Sequence, residues 1–159
     1  SSQVNGMMKR DFLLQRFDRL SAAAIKEFSM SDVDVSTASL YIDWLVEFIL
    51  ENNIPTKRPV TELCEDVQAA VYSAMMHKRC IVCGGKATLH HVDRVGMGND
   101  RREICHIGMR ALPLCWGING HHNEAHRIGD RELCEKYHLE PVVIDEKIAR
   151  AYRLGKKEE

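Results

Sequence analysis

The sequence predicts a mainly helical α+β protein, and three observations support this. Residues 7–78 carry apolar side chains at helical spacing, which predicts an N-terminal helical scaffold. Residues 79–138 hold short apolar runs separated by glycines, cysteines and histidines, which indicates a small mixed module. Residues 139–159 return to a helical pattern before a charged tail, and residues 1–6 have the composition of a linker or fragment end.

The scaffold is predicted to contain three helices. The first covers residues 8–28, where apolar residues recur near helical spacing. After a polar break, Ser36 or Thr37 is expected to cap a second helix that ends before Pro55. Pro59 and Thr61 open a third helix that runs towards Lys78. Apolar sets at this spacing are typical of helix packing, so we interpret this half as structural.

The mixed module begins at Cys80. A turn ending in Gly84-Gly85 precedes an apolar segment over residues 87–89, a glycine-containing loop over 92–98 and a second predicted strand over 109–114. Helix signals return at residues 121–126, so the order strand, loop, strand, helix predicts a ββα arrangement. Two closing helices are expected over 131–137 and 145–154.

Two sets of metal-binding side chains fall in this module. Cys80 and Cys83, two residues apart on a turn, can take two corners of a zinc tetrahedron, and Cys115 with His121 can take the other two. Further histidines remain for a second ion.

On a helix, His122 and His126 share one face and can chelate that second ion. His90 can complete the site, which leaves its neighbour His91 available as a base. The spacing therefore separates a structural from a chemical task.

The charge of the chain is unevenly distributed. The formal net charge is −1, but residues 78–131 hold 9 basic and 5 acidic side chains, whereas residues 1–77 hold 7 basic and 11 acidic ones. Positive charge thus accompanies the histidines, as a site for nucleic-acid phosphates requires. Arg94 and Arg127, a few residues from the predicted ligands, are the candidate phosphate contacts.

Other features bear on the environment of the protein. No apolar run approaches the roughly 18 residues of a membrane span, and no secretion leader opens the chain, so we expect no membrane association and a reducing cytoplasm. In that compartment a Cys-x2-Cys beside histidines favours metal over disulfides. His77, His138, Cys64, Cys105 and Cys134 are interpreted as binding no metal, with Cys64 and Cys134 in helices.

Four segments together resemble the HNH endonucleases, most closely those of Gram-positive phages and prophages. They are Cys80-x2-Cys83, the run from Leu89 to Gly98 that contains His90-His91, the segment 106–115 and the segment 121–126. The resemblance is strong over residues 80–138 and looser over the helical half. It implies a zinc-stabilised ββα-metal HNH module that cleaves DNA, near phage recombination or replication proteins, in the cytoplasm of a bacterial host.

The resemblance also implies residue roles. His91 matches the general base, His90, His122 and His126 match the catalytic metal ligands, and Cys80, Cys83, Cys115 and His121 match the structural zinc ligands. Three imidazoles suit Zn²⁺ or Ni²⁺ by ligand type, while related enzymes often use Mg²⁺ or Mn²⁺, so four divalent metals are candidates.

This sequence departs from the HNH pattern twice. Five residues separate Cys115 from His121, three more than is common. The asparagine of the family name is replaced by Arg110, and His106 or Asn99 are the alternatives for its role. The competing hypothesis is therefore an inactive, zinc-stabilised DNA-binding or assembly module. The sequence leaves oligomeric state and DNA structure open.

Overall fold

The fold described here comes from a computed structural model, which describes residues 2–16, 29–93 and 104–154. Within these ranges the chain forms six α-helices, a short 3-10 helix and a three-stranded sheet. In chain order they are α1 (Ser2–Arg16), α2 (Val35–Glu51), the 3-10 helix (Val60–Glu62), α3 (Val67–Met76), β1 (Ala87–His91), β2 (Arg110–Cys115), α4 (His121–Ile128), α5 (Asp130–Tyr137), β3 (Val142–Val143) and α6 (Glu146–Tyr152). The fold is mainly helical α+β, as predicted.

The chain divides into two compact units, Ser1–Leu45 and Val46–Glu159. The sequence interpretation instead placed a boundary between residues 78 and 79. The difference arises because α3 contributes Ala74 and Met75 to the same buried core as the sheet and α6. Residues 46–78 therefore pack with the sheet and α6 and form part of the same core.

The first unit contains an aromatic cluster. Phe12 of α1 lies edge-on to Tyr41 of α2, with ring centroids 5.2 Å apart, and also contacts Trp44. The Trp44 indole donates a hydrogen bond to Gln15. In α1 the helix begins at Ser2, so the predicted linker at residues 2–6 is helical; Gly6 weakens a helix by only about 1 kcal/mol and does not end it. The predicted helical residues 17–28 lie outside the described residues.

Several helix boundaries differ from those predicted. Asp34, rather than Ser36 or Thr37, caps α2, because its carboxylate accepts hydrogen bonds from the backbone N–H and the hydroxyl of Thr37. The predicted third helix is broken: the 3-10 helix ends at Glu62, and α3 starts afresh after Asp66, which accepts from Ala69 N–H. A local polar side chain competes here with a continuous helix.

A three-stranded sheet carries Cys115 and His90 to the positions predicted for metal ligands. Its order is β1-β2-β3, all antiparallel, with Ala87 opposite Cys115 and His91 opposite Ala111. Leu112 and Leu114 of β2 are fully buried, and both α3 and α4 contact this strand. The ββα arrangement predicted from the sequence is thus present, with β3 added at the edge.

A tight link joins α4 to α5. Gly129 alone separates them, with φ +96°, a backbone conformation that residues with a Cβ rarely adopt. The Gly129 N–H donates a hydrogen bond to the carbonyl of Ala125, and this bond ends α4 in the turn that carries His126. As a result Asp130, the first residue of α5, is carried back towards the histidines of β1 and α4.

Candidate metal centre

Cys80, Cys83, Cys115 and His121 converge from three segments of the chain. Their ligand atoms all lie within 4.8 Å of one another. The Sγ atoms of Cys83 and Cys115 are 3.7 Å apart, and His121 Nδ1 lies 3.5 Å from Cys80 Sγ and 3.3 Å from Cys115 Sγ. None of these three cysteines forms a disulfide bond. The five-residue link to His121 therefore still delivers this histidine to the cysteines.

These distances fit a zinc ion. A tetrahedral ion with Zn–S bonds of about 2.3 Å and Zn–N bonds of about 2.0 Å separates its ligands by about 3.8 Å for two sulfurs and about 3.5 Å for sulfur and nitrogen. Burial lowers the pKa of His121 and so favours the neutral ring, which is the form that binds a metal. The donor set and its spacing thus match a structural zinc site.

The backbone of residues 80–85 shapes this site. Cys80 N–H bonds to the Gly85 carbonyl, and Gly84 N–H returns to the Cys80 carbonyl, which closes a tight turn. Gly84 has φ +71°, which only glycine adopts without strain. Cys80 is fully buried, and this burial raises the pKa of its thiol to about 12. A bound cation would offset that cost of forming the thiolate.

His90, His122 and His126 form the second group. Their ligand nitrogens also lie within 4.8 Å of one another. His90, at 2% exposure, projects from β1 towards α4, where the i, i+4 spacing places the other two on one face. The ring centroids of His90 are 4.6 Å from His122 and 5.0 Å from His126.

Two neighbours set the tautomers of these rings. His90 Nε2 lies 2.6 Å from the Asp130 carboxylate, which accepts a hydrogen bond from Nε2–H and so leaves the Nδ1 lone pair for an ion. Thr88 Oγ1 lies 3.3 Å from the Leu114 carbonyl and 3.1 Å from His122 Nδ1. Because the carbonyl can only accept, Thr88 donates to it and accepts from His122 Nδ1–H, which leaves Nε2 for an ion.

Asp130 was not singled out in the sequence. Only its place at the start of α5, directly after Gly129, could have pointed to it, since no motif spacing links it to His90. The structure also brings His106 to the predicted base: His91 Nε2 and His106 Nδ1 are 2.8 Å apart, and His106 is 5% exposed. Among the substitutes considered for the missing asparagine, His106 is hydrogen-bonded to His91, and Asn99 lies outside the described residues.

Arg110 has a different partner. Its backbone N–H and its guanidinium donate to the Asp93 carboxylate, with distances of 2.6, 3.0 and 2.7 Å. These hydrogen bonds lower the pKa of Asp93 and keep it ionised. Asp93 follows β1 and Arg110 opens β2, so the pair joins the two strands beside His91.

The remaining predicted residues are distributed as follows. Arg127 on α4 is exposed and forms no ion pair within the described residues, whereas Arg94 and Asn99 lie outside them. Cys105 and His138 are exposed, and neither belongs to a ligand group among the described residues. Cys134 lies in α5, as predicted. Cys64 was also predicted to lie in a helix, but it lies in the break before α3. Both are half-buried.

No helix in the described parts of the chain has both the length and the apolar character required to cross a bilayer.

Comparison with known proteins gives one family. The family model described as "putative HNHc nuclease" matches residues 7–155, nearly the whole chain. The chain itself matches no curated protein and no solved structure. With its ββα module and paired metal-ligand groups, the chain therefore belongs to this HNH nuclease family.

Proposed function

We propose that the protein is a metal-dependent DNA endonuclease that hydrolyses phosphodiester bonds. The observation that carries this proposal is the grouping of His90, His122 and His126, whose ligand atoms lie within 4.8 Å, beside His91 on the same strand. Cys80, Cys83, Cys115 and His121 would hold a structural Zn²⁺. The histidine group would hold a divalent ion, with Mg²⁺, Mn²⁺, Ni²⁺ and Zn²⁺ as candidates.

The chemistry needs two kinds of assistance. When bound, the catalytic ion would supply positive charge to the scissile phosphate and the leaving 3′-oxygen. His91 would take a proton from the attacking water, while the new P–O bond forms and the bond to the 3′-oxygen breaks. The leaving oxygen then takes a proton from solvent. Arg127, exposed on α4, and Arg94 would contact neighbouring phosphates.

His106 gives the proposed base its orientation. A hydrogen bond between two imidazoles has one donor, so two tautomeric arrangements exist for the 2.8 Å contact. If His91 donates from Nε2, its Nδ1 holds the lone pair that accepts a proton from water. If His106 donates instead, His91 Nε2 accepts that hydrogen bond and Nδ1 carries the hydrogen, so Nδ1 cannot take a proton from water. We therefore assign the first arrangement to the reactive state.

The resemblance to phage nucleases supports a role in DNA recombination or replication. The clustering of basic side chains in residues 78–131 supports DNA as the substrate. Asp93 and Arg110 would hold β1 and β2 together near His91.

Substitution of His126 tests the proposal. Because His126 is exposed, His126→Ala leaves the core intact, and we expect it to abolish cleavage of plasmid DNA while one zinc per chain remains. His138→Asn is the matched control, since His138 is exposed outside both ligand groups and asparagine tolerates its φ of +52°. Cleavage by His126→Ala at the parent rate would refute the assignment of the histidine group.

A further inference from the structure

The loop between Cys115 and His121 exposes two large apolar side chains. Trp116 is 66% exposed and Ile118 is 96% exposed. Residues 116–120 are named the 116–120 loop below. A single exposed apolar residue requires no explanation. Two such residues on one short loop do require one, since this loop joins Cys115, a proposed zinc ligand, to the helix that carries His122 and His126.

The 116–120 loop has a fixed conformation. Asn123 of α4 donates from Nδ2 to the Gly117 carbonyl at 2.7 Å, and Gly120 N–H bonds to the same carbonyl at 2.9 Å. Gly120 is buried, and a Cβ at this position would lie 2.5 Å from the Cys115 carbonyl oxygen. The loop is therefore anchored at both ends, and its apolar side chains are held outward.

Trp116 lies beside His122, one of the three proposed ligands of the catalytic ion. Its ring centroid is 4.7 Å from that of His122, with the rings at 72°. Thr88 fixes the orientation of His122, so the indole has a defined place relative to the histidine group. A phosphate bound at that group brings its adjoining nucleotide within reach of the indole, because neighbouring nucleotides on a strand are only about 3.4 Å apart along the helix axis.

The charges around the loop favour a nucleic acid. Ile118 and Asn119 line a surface depression together with Arg127, which forms no ion pair among the described residues. The acidic residue in this depression, Glu124, is neutralised by Lys136 at 2.6 Å and accepts a hydrogen bond from Tyr137. A polyanion that follows this depression therefore meets the Arg127 guanidinium and, at Ile118, the loop that also carries the exposed indole of Trp116.

From these observations we infer that Trp116 stacks on an unpaired base next to the scissile phosphate, so that the enzyme prefers branched, gapped or flapped DNA to intact duplex. The inference rests on the proposed function. In a duplex both faces of each base are covered by neighbouring bases, whereas an unpaired base offers a free face for an aromatic ring. Ile118 at the apex would pack against the sugar or base that follows.

Binding measurements test this independently of cleavage. The background is His91→Ala, which removes the proposed base, and the probes are an intact duplex and the same duplex with a three-nucleotide gap or a single-stranded flap. We expect Trp116→Ala to weaken binding to the gapped and flapped DNA about 10-fold and binding to the duplex by less than about 2-fold. Trp116→Phe, which keeps a stacking ring, should restore most of the preference.

Fluorescence provides the second readout. Trp44→Phe leaves Trp116 as the only tryptophan of the chain, so quenching by gapped DNA reports stacking on this side chain. Equal losses on all three DNAs, or no loss on any of them, would overturn the inference. If the parent cuts no DNA but the selective loss is seen, Trp116 still stacks on an unpaired base, and it is the proposed function that fails.

Discussion

The zinc group makes its clearest prediction at Cys83. This residue is exposed, so Cys83→Ala creates no cavity, unlike a change at the fully buried Cys80. Through the ion, Cys83 would be tied to Cys115 across 32 positions of the chain. The chain entropy of closing a loop of this length is about 4 kcal/mol, which sets the upper size of the expected loss. For a protein of this length that loss lowers Tm by roughly 8–16 °C.

The assay combines thermal unfolding with zinc content. Cys105→Ala is the matched control, because Cys105 is also exposed but lies outside both ligand groups. A chelator should lower the Tm of the parent and of Cys105→Ala, and should change that of Cys83→Ala much less. If Cys83→Ala keeps the zinc content and Tm of the parent, the four side chains do not hold a structural ion and the reasoning fails.

Of three further predictions, two concern the surroundings of the ligand groups and one concerns the cap of α6. Asp130→Ala removes the acceptor of His90 Nε2–H and should weaken binding of the catalytic ion by about 10–100-fold, measured by metal titration of cleavage. Asp145 caps α6 by accepting from Ile148 N–H, so Asp145→Ala should cost about 1 kcal/mol in chemical denaturation and Asp145→Asn less. That hydrogen bond lowers the pKa of Asp145 below its ordinary value of 3.8, so its contribution is present above that pH and is lost as the pH falls through the lowered value. Arg110→Ala should reduce cleavage while leaving zinc content unchanged, since it removes the two guanidinium hydrogen bonds to Asp93 but touches neither ligand group.

The sequence predicted the elements that carry the ligands because their signals are local. Thiols two residues apart and histidines four apart specify a turn and a helix face by themselves. The observed β1, β2 and α4 differ from the predicted segments by two residues or fewer at their ends. Asp130 and His106 could not be assigned in this way, because their contacts depend on how Gly129 turns the chain and on how the segment before β2 packs.

Patterning also failed where polar side chains interrupt an apolar period. The Asp66 side chain accepts a hydrogen bond from the Ala69 N–H and so begins α3 as a separate helix, although the apolar residues on both sides continue at helical spacing. The two-residue strand β3 is too short for any periodic signal. Its pairing with Arg110 and Ala111 arises from the sheet and not from its own sequence.

Metal-dependent cleavage by His91→Ala is the most direct test of the account. Parent and variant, each shown to fold and to bind zinc equally, would be incubated with supercoiled plasmid and branched DNA in Mg²⁺, Mn²⁺, Ni²⁺ or Zn²⁺. We expect the parent to cut in at least one of these metals and His91→Ala to be inactive in all of them. Equal cleavage by both proteins would show that His91 is not the base, and no cleavage by either would leave a DNA-binding module in place of a nuclease.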